Sequence, residues 1–304
     1  MNSDDLLASA RRGASIPNDQ NLFTDAELLA MADEAIQLDF LPMLTSLREE
    51  FFVKKENVST VANQAEYDMP SRAIGSTLRD LKIIVGSGKK NLIYIQPEVS
   101  HEYTNSTTTS GEPIGFYLQG DQYVLLPTPA SVYTLEISYG FRPSALIPLA
   151  SSAVVATIGS GLITVTSLPS GIVTGVLVDC TSAKANYQNK GYDVAVTNVS
   201  GTTIYGTFPS TLTVGDYVCL AGFTPVIQLP VDLHPAVAQA LQSRYLESVG
   251  DFDGLSISDK KLQQRMNSAK ALLAPRVEGE PKVIVNNSGL LNRRGNKGYQ
   301  RGVR

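Results

Sequence analysis

GEPIGFYLQGDQYVLLPTPASVYTLEISYGFRP, residues 111–143, holds three short runs rich in β-branched and aromatic residues. Runs of this composition, bounded by Gly, Pro or Asp, read as strands. Gly120-Asp121 stands between FYLQ and QYVLL, the two-residue spacing of a β-hairpin. After the hairpin, Val132, Leu135, Ile137 and Tyr139 are punctuated by Thr134, Glu136 and Ser138. That alternation predicts a half-buried antiparallel strand. Upstream, AEYDMP, LRDLKIIVG and NLIYIQPEV have the same character, so an antiparallel β region is expected over 58–145. YTNSTTTSGEP within it reads as an exposed polar loop.

The period changes on either side. FTDAELLAMADEAIQLDF predicts a helix, with Thr24 as N-cap and Glu27 at capping-box spacing. Leu28, Leu29, Ala32, Ala35, Ile36 and Phe40 form its apolar stripe, while Asp25, Glu27, Asp33, Glu34 and Gln37 lie largely off it. Pro42 breaks the pattern or restarts it at a first turn. MLTSLREEFFV continues as a second helical piece, which sets the N-terminal helices at 21–57. Residues 1–20 are polar without a sustained period and are expected to be extended.

Downstream, over 146–228, charge falls and Gly, Thr, Ser and Val dominate. GLITVTSL, GVLVDCT, YDVAVTNVSG, TTIYGTF and DYVCLAG are evenly spaced strands of a small all-β module, barrel or sandwich. No fixed internal repeat is read in it. Helix returns over 229–275. DLHPAVAQALQSRYLESVGD has Pro235 in its first turn, Asp232 as cap, and Val237, Leu241, Tyr245 and Val249 at four-residue spacing. SISDKKLQQRMNSAKALLAP follows, with Ser258 as cap and Leu262, Met266, Ala269 and Leu273 as stripe. Gly250 and Gly254 form the turn of the resulting αα-hairpin, and Pro275 ends it. Residues 276–304 are an extended basic tail. The fold class is therefore α+β: a helical bundle made of the N-terminal helix and a C-terminal αα-hairpin, an antiparallel sheet, and a separate small all-β module.

Composition narrows function by exclusion. The 304 residues carry a net charge of −4, with 43% hydrophobic and 18% charged residues. That is globular composition, and it argues against a general nucleic-acid binder, whose footprint is basic. No apolar run approaches the ~18 residues of a membrane span, and the polar start MNSDDLLASARRGASIPNDQ has no apolar leader core. The expectation is a soluble chain, not secreted by the usual route, with no membrane partner.

Catalytic signals are sparse. His101 lies in a polar strand-to-loop segment and His234 precedes Pro235 at a helix start; these are the two histidines. No HExxH or CxxC spacing is present, so neither metal nor cofactor is expected. Cys180 and Cys219 sit in strand-like runs and read as buried free thiols, with a disulfide as the alternative. GSGKK, residues 86–90, resembles a phosphate-binding loop only in part: position 83 is Ile, and no Ser or Thr follows Gly88-Lys89. It reads as a tight turn, as does IGSGL at 158–162. Glu49-Glu50 and Asp251/Asp253 read as a helix face and a turn. Tyr94, Tyr103, Tyr117, Tyr123, Tyr133 and Tyr139 suit core and interface packing better than a stacking platform. No catalytic, cofactor or metal residue is assigned, and the chain is not expected to be an enzyme.

The order of motifs resembles that of head-to-tail adaptor (connector) proteins of tailed bacteriophages. The residues that carry it are Thr24-Asp25, Met69-Pro70, Pro113 with Phe116-Tyr117, Leu125-Leu126-Pro127-Thr128-Pro129 and Phe141-Arg142-Pro143. The resemblance covers roughly residues 20–145 and 228–275. A minimal adaptor passes almost directly from the aromatic–Arg–Pro strand to the C-terminal helices, so 146–228 would be an extra module. The resemblance implies a non-enzymatic virion protein forming a ring, usually of twelve copies. Such a ring sits beneath the portal protein, receives the tail or nozzle protein below, and lets double-stranded DNA pass without sequence-specific binding. The runner-up is a receptor- or carbohydrate-binding virion protein that uses the 146–228 module.

The chain ends NNSGLLNRRGNKGYQRGVR, and beyond Glu280 it has no acidic residue. Such a segment cannot bury enough apolar surface to fold alone. Given the resemblance, it reads as a docking arm for the portal, with a DNA-binding tail as the alternative. KVIVNN can add a strand to a partner's sheet edge. The candidate contact residues are Lys282, Val283, Ile284, Val285, Arg293, Arg294, Lys297, Tyr299, Arg301 and Arg304.

Overall fold

The computed structural model describes residues 1–16, 22–48, 50–104, 110–183 and 189–273. All ten candidate tail residues, Glu49, Pro275 and most of the polar loop after Thr104 lie outside them. The class is α+β, with a closed six-stranded barrel as the all-β module.

The helices are α1 (Ser3–Ala14), α2 (Asp25–Ala35), α3 (Leu41–Leu47), the short α4 (Ser100–Thr104), α5 (His234–Val249) and α6 (Phe252–Leu273). All but α4 contribute to one apolar core containing Leu6, Leu29, Phe40, Leu44, Val237 and Leu241. The start of α2 is the expected capping box. Thr24 Oγ1 accepts from the Glu27 N–H at 3.3 Å, and the Glu27 carboxylate accepts from the Thr24 N–H at 2.6 Å. The Thr24 N–H and hydroxyl, both donating to the Glu27 carboxylate, hold it below the usual carboxylate range. A π-helical turn, Ile36–Phe40, joins α2 to α3, where Pro42 occupies the first turn.

Within the expected extended segment, Ser3–Ala14 is a helix instead. Residues 3–14 are helical because Asn2 caps the Asp5 N–H at 2.7 Å and Asp4, Asp5, Arg11 and Arg12 match the helix dipole. Only Leu6, Leu7 and Ala10 supply the apolar face, too few for a periodic signal. Close approach is possible because position 13 is glycine: a Cβ there would lie 2.0 Å from Gln242 Nε2 of α5. At the other end of the bundle, Asp232 and Ser258 are not caps. Asp232 lies in a 3-10 turn (Val231–Leu233) before α5, and no side chain caps that helix. Helix α6 starts earlier than expected, and Asp251 Oδ1 accepts from the Gly254 N–H at 2.9 Å. Gly254 is therefore inside the helix, and only Gly250 (φ +81°) makes the turn. Ser258 is buried mid-helix, bonded to Gln239 (2.7 Å) and Ser243 (2.8 Å) of α5.

Two four-stranded sheets enclose the second core. Strands β1 (Val53–Ser59), β2 (Glu66–Asp68), β3 (Ala73–Val85), β4 (Gly88–Asn91), β5 (Ile93–Tyr94), β6 (Ser110–Gly111), β7 (Gly115–Gln119), β8 (Gln122–Leu126), β9 (Thr128–Pro129) and β10 (Thr134–Phe141) form this region. One sheet is ordered β1-β10-β3-β4 and the other β2-β8-β7-β5. The hairpin turns at Gly120-Asp121 with Gly120 at φ +63°. Two expectations change here. Residues 53–57 were expected to be helical but belong to β1, which pairs with β10 from Val53↔Gly140 to Ser59↔Thr134. With only two apolar residues, β1 is a strand because of its partner rather than its own pattern. In turn, β10 is central rather than half-buried, and Glu136 and Ser138 on its polar face are buried as well.

The barrel follows β11 (Ala145–Leu146). Its strands are β12 (Ala153–Gly159), β13 (Leu162–Val165), β14 (Leu177–Thr181), β15 (Asn189–Ser200), β16 (Thr203–Gly206) and β17 (Tyr217–Leu220), closed in the order β12-β13-β16-β15-β14-β17. Strand β18 (Phe223–Thr224) then pairs with β11 in parallel. The barrel does contain an internal repeat. Exchanging β12, β13 and β14 with β15, β16 and β17 returns the same neighbours. Each half carries a Pro-Ser pair followed at the same distance by a turn glycine: Pro169-Ser170 with Gly175 and Pro209-Ser210 with Gly215, both glycines at φ +89°. Gly175 N–H donates to Val196 O at 2.9 Å, and Gly215 N–H to Val155 O at 2.8 Å. A one-residue change of offset between the halves, and the scarcity of identical residues, hide the repeat in the sequence.

Candidate assembly surfaces and their buried junction

A buried polar cluster joins the sheets to the barrel. Arg72 sits in the turn entering β3, held there because its backbone carbonyl accepts from Arg142 N–H at 2.8 Å. Its Nη1 lies 2.8 Å from Asp179 Oδ2 on β14, and Nη2 donates to Ser144 Oγ at 2.6 Å. Asp179 is fully buried, and it also accepts from the Asp193 and Gly222 N–H groups, each at 3.0 Å. The Arg72 guanidinium stacks near Phe141 (4.7 Å) and Tyr192 (5.2 Å), and Lys54 Nζ lies 4.8 Å from the same tyrosine ring. Asp193 stands at φ +54°, a backbone that Asp tolerates better than most residues. A charge removed from water this completely persists only when paired and hydrogen-bonded. The junction therefore fixes the barrel on the sheets, and the sequence reading did not find it, since its members are scattered from 54 to 222.

A groove of about 580 Å³ lies beside the β1 and β2 edges, lined by Glu56, Glu66 and Asp68 with Gln64, Tyr123 and Gln122. Tyr139 Oη donates to Glu56 at 2.9 Å and Gln122 Nε2 to Asp68 at 2.8 Å. No Lys or Arg is in this lining, although Lys54 Nζ lies 3.6 Å from Glu56 Oε2. Lys89 of β4 bonds to Glu136 of β10, which holds that carboxyl below the usual range against the opposing effect of desolvation. Large apolar side chains are exposed at Ile93 and Tyr94 of β5, at Ile114, and at Phe252 and Ile257 of α6.

The remaining chemistry-bearing residues serve the framework. Gly86-Ser87 is the turn between β3 and β4, and Lys90 pairs with Glu112 at 2.6 Å. Cys180 and Cys219 are free and buried, and burial pushes the Cys180 thiol up to about 12 and the Cys219 thiol up as well. His101 is exposed, with Nδ1 2.9 Å from Glu98 O. His234 is buried, its Nε2 3.0 Å from Leu229 O, and burial lowers it to about 4. Tyr123 and Tyr139 are core residues, whereas Tyr94 and Tyr103 are exposed. Asp33 of α2 is pushed up to about 7, by burial above all, while its bond from Leu146 N–H (2.7 Å) opposes the rise. Among the described residues no group of three His, Cys, Asp or Glu is placed to hold a metal, and no helix is long and apolar enough to cross a membrane.

Buried polar groups thus tie the parts of the chain together, while acidic and apolar surfaces face outward, as in a protein that works through contacts with other chains. A family model described as SU10 adaptor protein matches residues 1–198, from the first helix into β15. The chain belongs to that family, and is a structural adaptor protein of a bacteriophage and a component of its virion. No curated protein matches the chain.

Proposed function

We propose that this adaptor forms a homo-oligomeric ring, of twelve copies, between the portal and the tail or nozzle, at the portal vertex of the virion. It is made in the host cytoplasm, has no enzymatic activity, and leaves a central passage for double-stranded DNA. The family match carries this reading, and the locked junction between sheets and barrel supports it, because a ring that transmits geometry needs rigid subunits. The acidic balance of the body supports passage of DNA without grip, since phosphate-binding surfaces are basic. The barrel is an addition to a minimal adaptor plan.

The tail is the docking arm. Arg293, Arg294, Lys297, Arg301 and Arg304, with Tyr299 among them, meet acidic portal surface, and Gly289, Gly295, Gly298 and Gly302 let the backbone follow it. Lys282, Val283, Ile284 and Val285 add a strand to a sheet edge in the docked assembly. Deleting 282–304 tests this: the body is expected to keep its unfolding temperature and lose portal attachment in a pull-down. Normal attachment of the truncated chain would remove the tail from the account.

A further inference from the structure

We infer that the barrel contains an unfilled strand position, and that residues 283–285 of a neighbouring copy's tail fill it. This rests on the docking-arm reading of the tail and names the partner of its apolar part.

The two halves of the barrel pair their strands in the same register. Leu177 and Val178 of β14 pair with Ala195 and Val194, and Tyr217 and Val218 of β17 pair with Val154 and Ala153. Past this point the halves differ. In the second half β15 keeps going beside β14, with Cys180 opposite Gly191 and Thr181 opposite Asn189. Gly191 packs so closely on the Pro209 turn that a Cβ there would come within 2.7 Å of the proline Cγ. In the first half the ladder ends at Ala153↔Val218. The counterparts of Gly191, Cys180 and Pro209 are Ala150, Leu220 and Pro169. Ala150 lies in a 3-10 turn, Leu149–Ser151, rather than in a strand. A cavity of about 440 Å³ opens there, lined by Ile147, Ala150, Pro169, Ile172, Leu220 and Phe223, with no charged residue in its walls. Phe223 at its mouth is 41% exposed.

The filled half shows what the open half accepts: a short extended backbone with small or apolar side chains. Outside the described residues, Val283-Ile284-Val285 is the one run of three consecutive β-branched apolar residues. Such residues favour extended backbone and pack well on a strand. A head-to-tail ring needs two different, complementary surfaces on every copy, and the run and the groove are such a pair. Donation to the neighbour leaves the cations from Arg293 onward free for the portal.

The test is a cross-link in the full chain assembled with portal. Ile284→Cys in the tail is combined with Ser170→Cys on the groove wall, each single variant being a control for the two buried native thiols. Mild oxidation is expected to give a ladder of multimers only in the double variant. A cross-link confined to single chains, or none in assemblies that electron microscopy shows to be rings, overturns the inference while the ring reading stands. If no ring forms at all, the ring reading falls and the inference with it. Ile284→Asp, which leaves the body untouched, is expected to weaken ring association at least tenfold on dilution, and unchanged association would also overturn the inference.

Discussion

Replacing Arg72 by Met removes the counter-charge of a fully buried carboxylate and keeps most of the side-chain volume. Breaking one side of such a pair costs about 3–5 kcal/mol. Arg72's side chain is only 14% exposed, so water screens the pair weakly. Asp179 keeps two backbone N–H donors at 3.0 Å, which places the expected loss toward the lower end. At about 2–4 °C per kcal/mol for a large domain, the unfolding temperature should fall by roughly 6–12 °C. The assay is thermal unfolding of the full chain at fixed protein concentration, followed by circular dichroism. The double variant Arg72→Met/Asp179→Leu no longer strands a charge and should be clearly more stable than the sum of the two single losses, by about 1–3 kcal/mol as expected for contacting partners. A loss below about 1 kcal/mol for Arg72→Met, or strict additivity in the double variant, would refute the claim that this pair holds the barrel on the sheets.

Asp33 has a folded pKa of about 7, above its unfolded value, so protonation favours the folded state; stability is present in full below pH ~4 and is lost as pH rises toward 7. Asp33→Asn keeps an acceptor for Leu146 N–H and should flatten that slope, its advantage over wild type growing to on the order of a few kcal/mol between pH 4 and pH 8, as read by urea unfolding. Ser258→Ala strands the Gln239 amide in the α5–α6 seam and should cost about 1–3 kcal/mol, whereas Ser256→Ala, exposed on the same helix, should be nearly silent in the same melt. Thr24→Ala removes the hydroxyl that accepts from Glu27 N–H and donates to the Glu27 carboxylate, leaving the backbone half of the capping box, and should cost about 1 kcal/mol, with exchange of the α2 amides rising first.

The elements legible in the sequence are those whose own residues carry the signal. The capping box at Thr24, the hairpin at Gly120-Asp121 and the stripe of α2 are local, and each stands where the spacing put it. The features that escaped are long-range. Strand β1 takes its form from β10, eighty residues away in sequence, and its own two valines say little. Helix α1 buries three apolar residues in a core shared with a helix more than two hundred residues later. The Ser258 hydroxyl looks like a cap until α5 is laid against it. The buried junction is the extreme case: Arg72, Ser144, Asp179 and Asp193 have no shared spacing, and only the meeting of sheet and barrel brings them together. The tail contacts, by contrast, rest on charge, on the strand-forming KVIVNN run and on the family resemblance, and lie outside the described residues.

The central claim is that this adaptor works as a closed ring on the portal. Electron microscopy of the full chain mixed with portal measures it most directly, by particle symmetry. A twelvefold ring seated on one face of the portal, with an open axial channel, is the expected result. A trimer, or a chain that stays monomeric and unattached under assembly conditions, would contradict it.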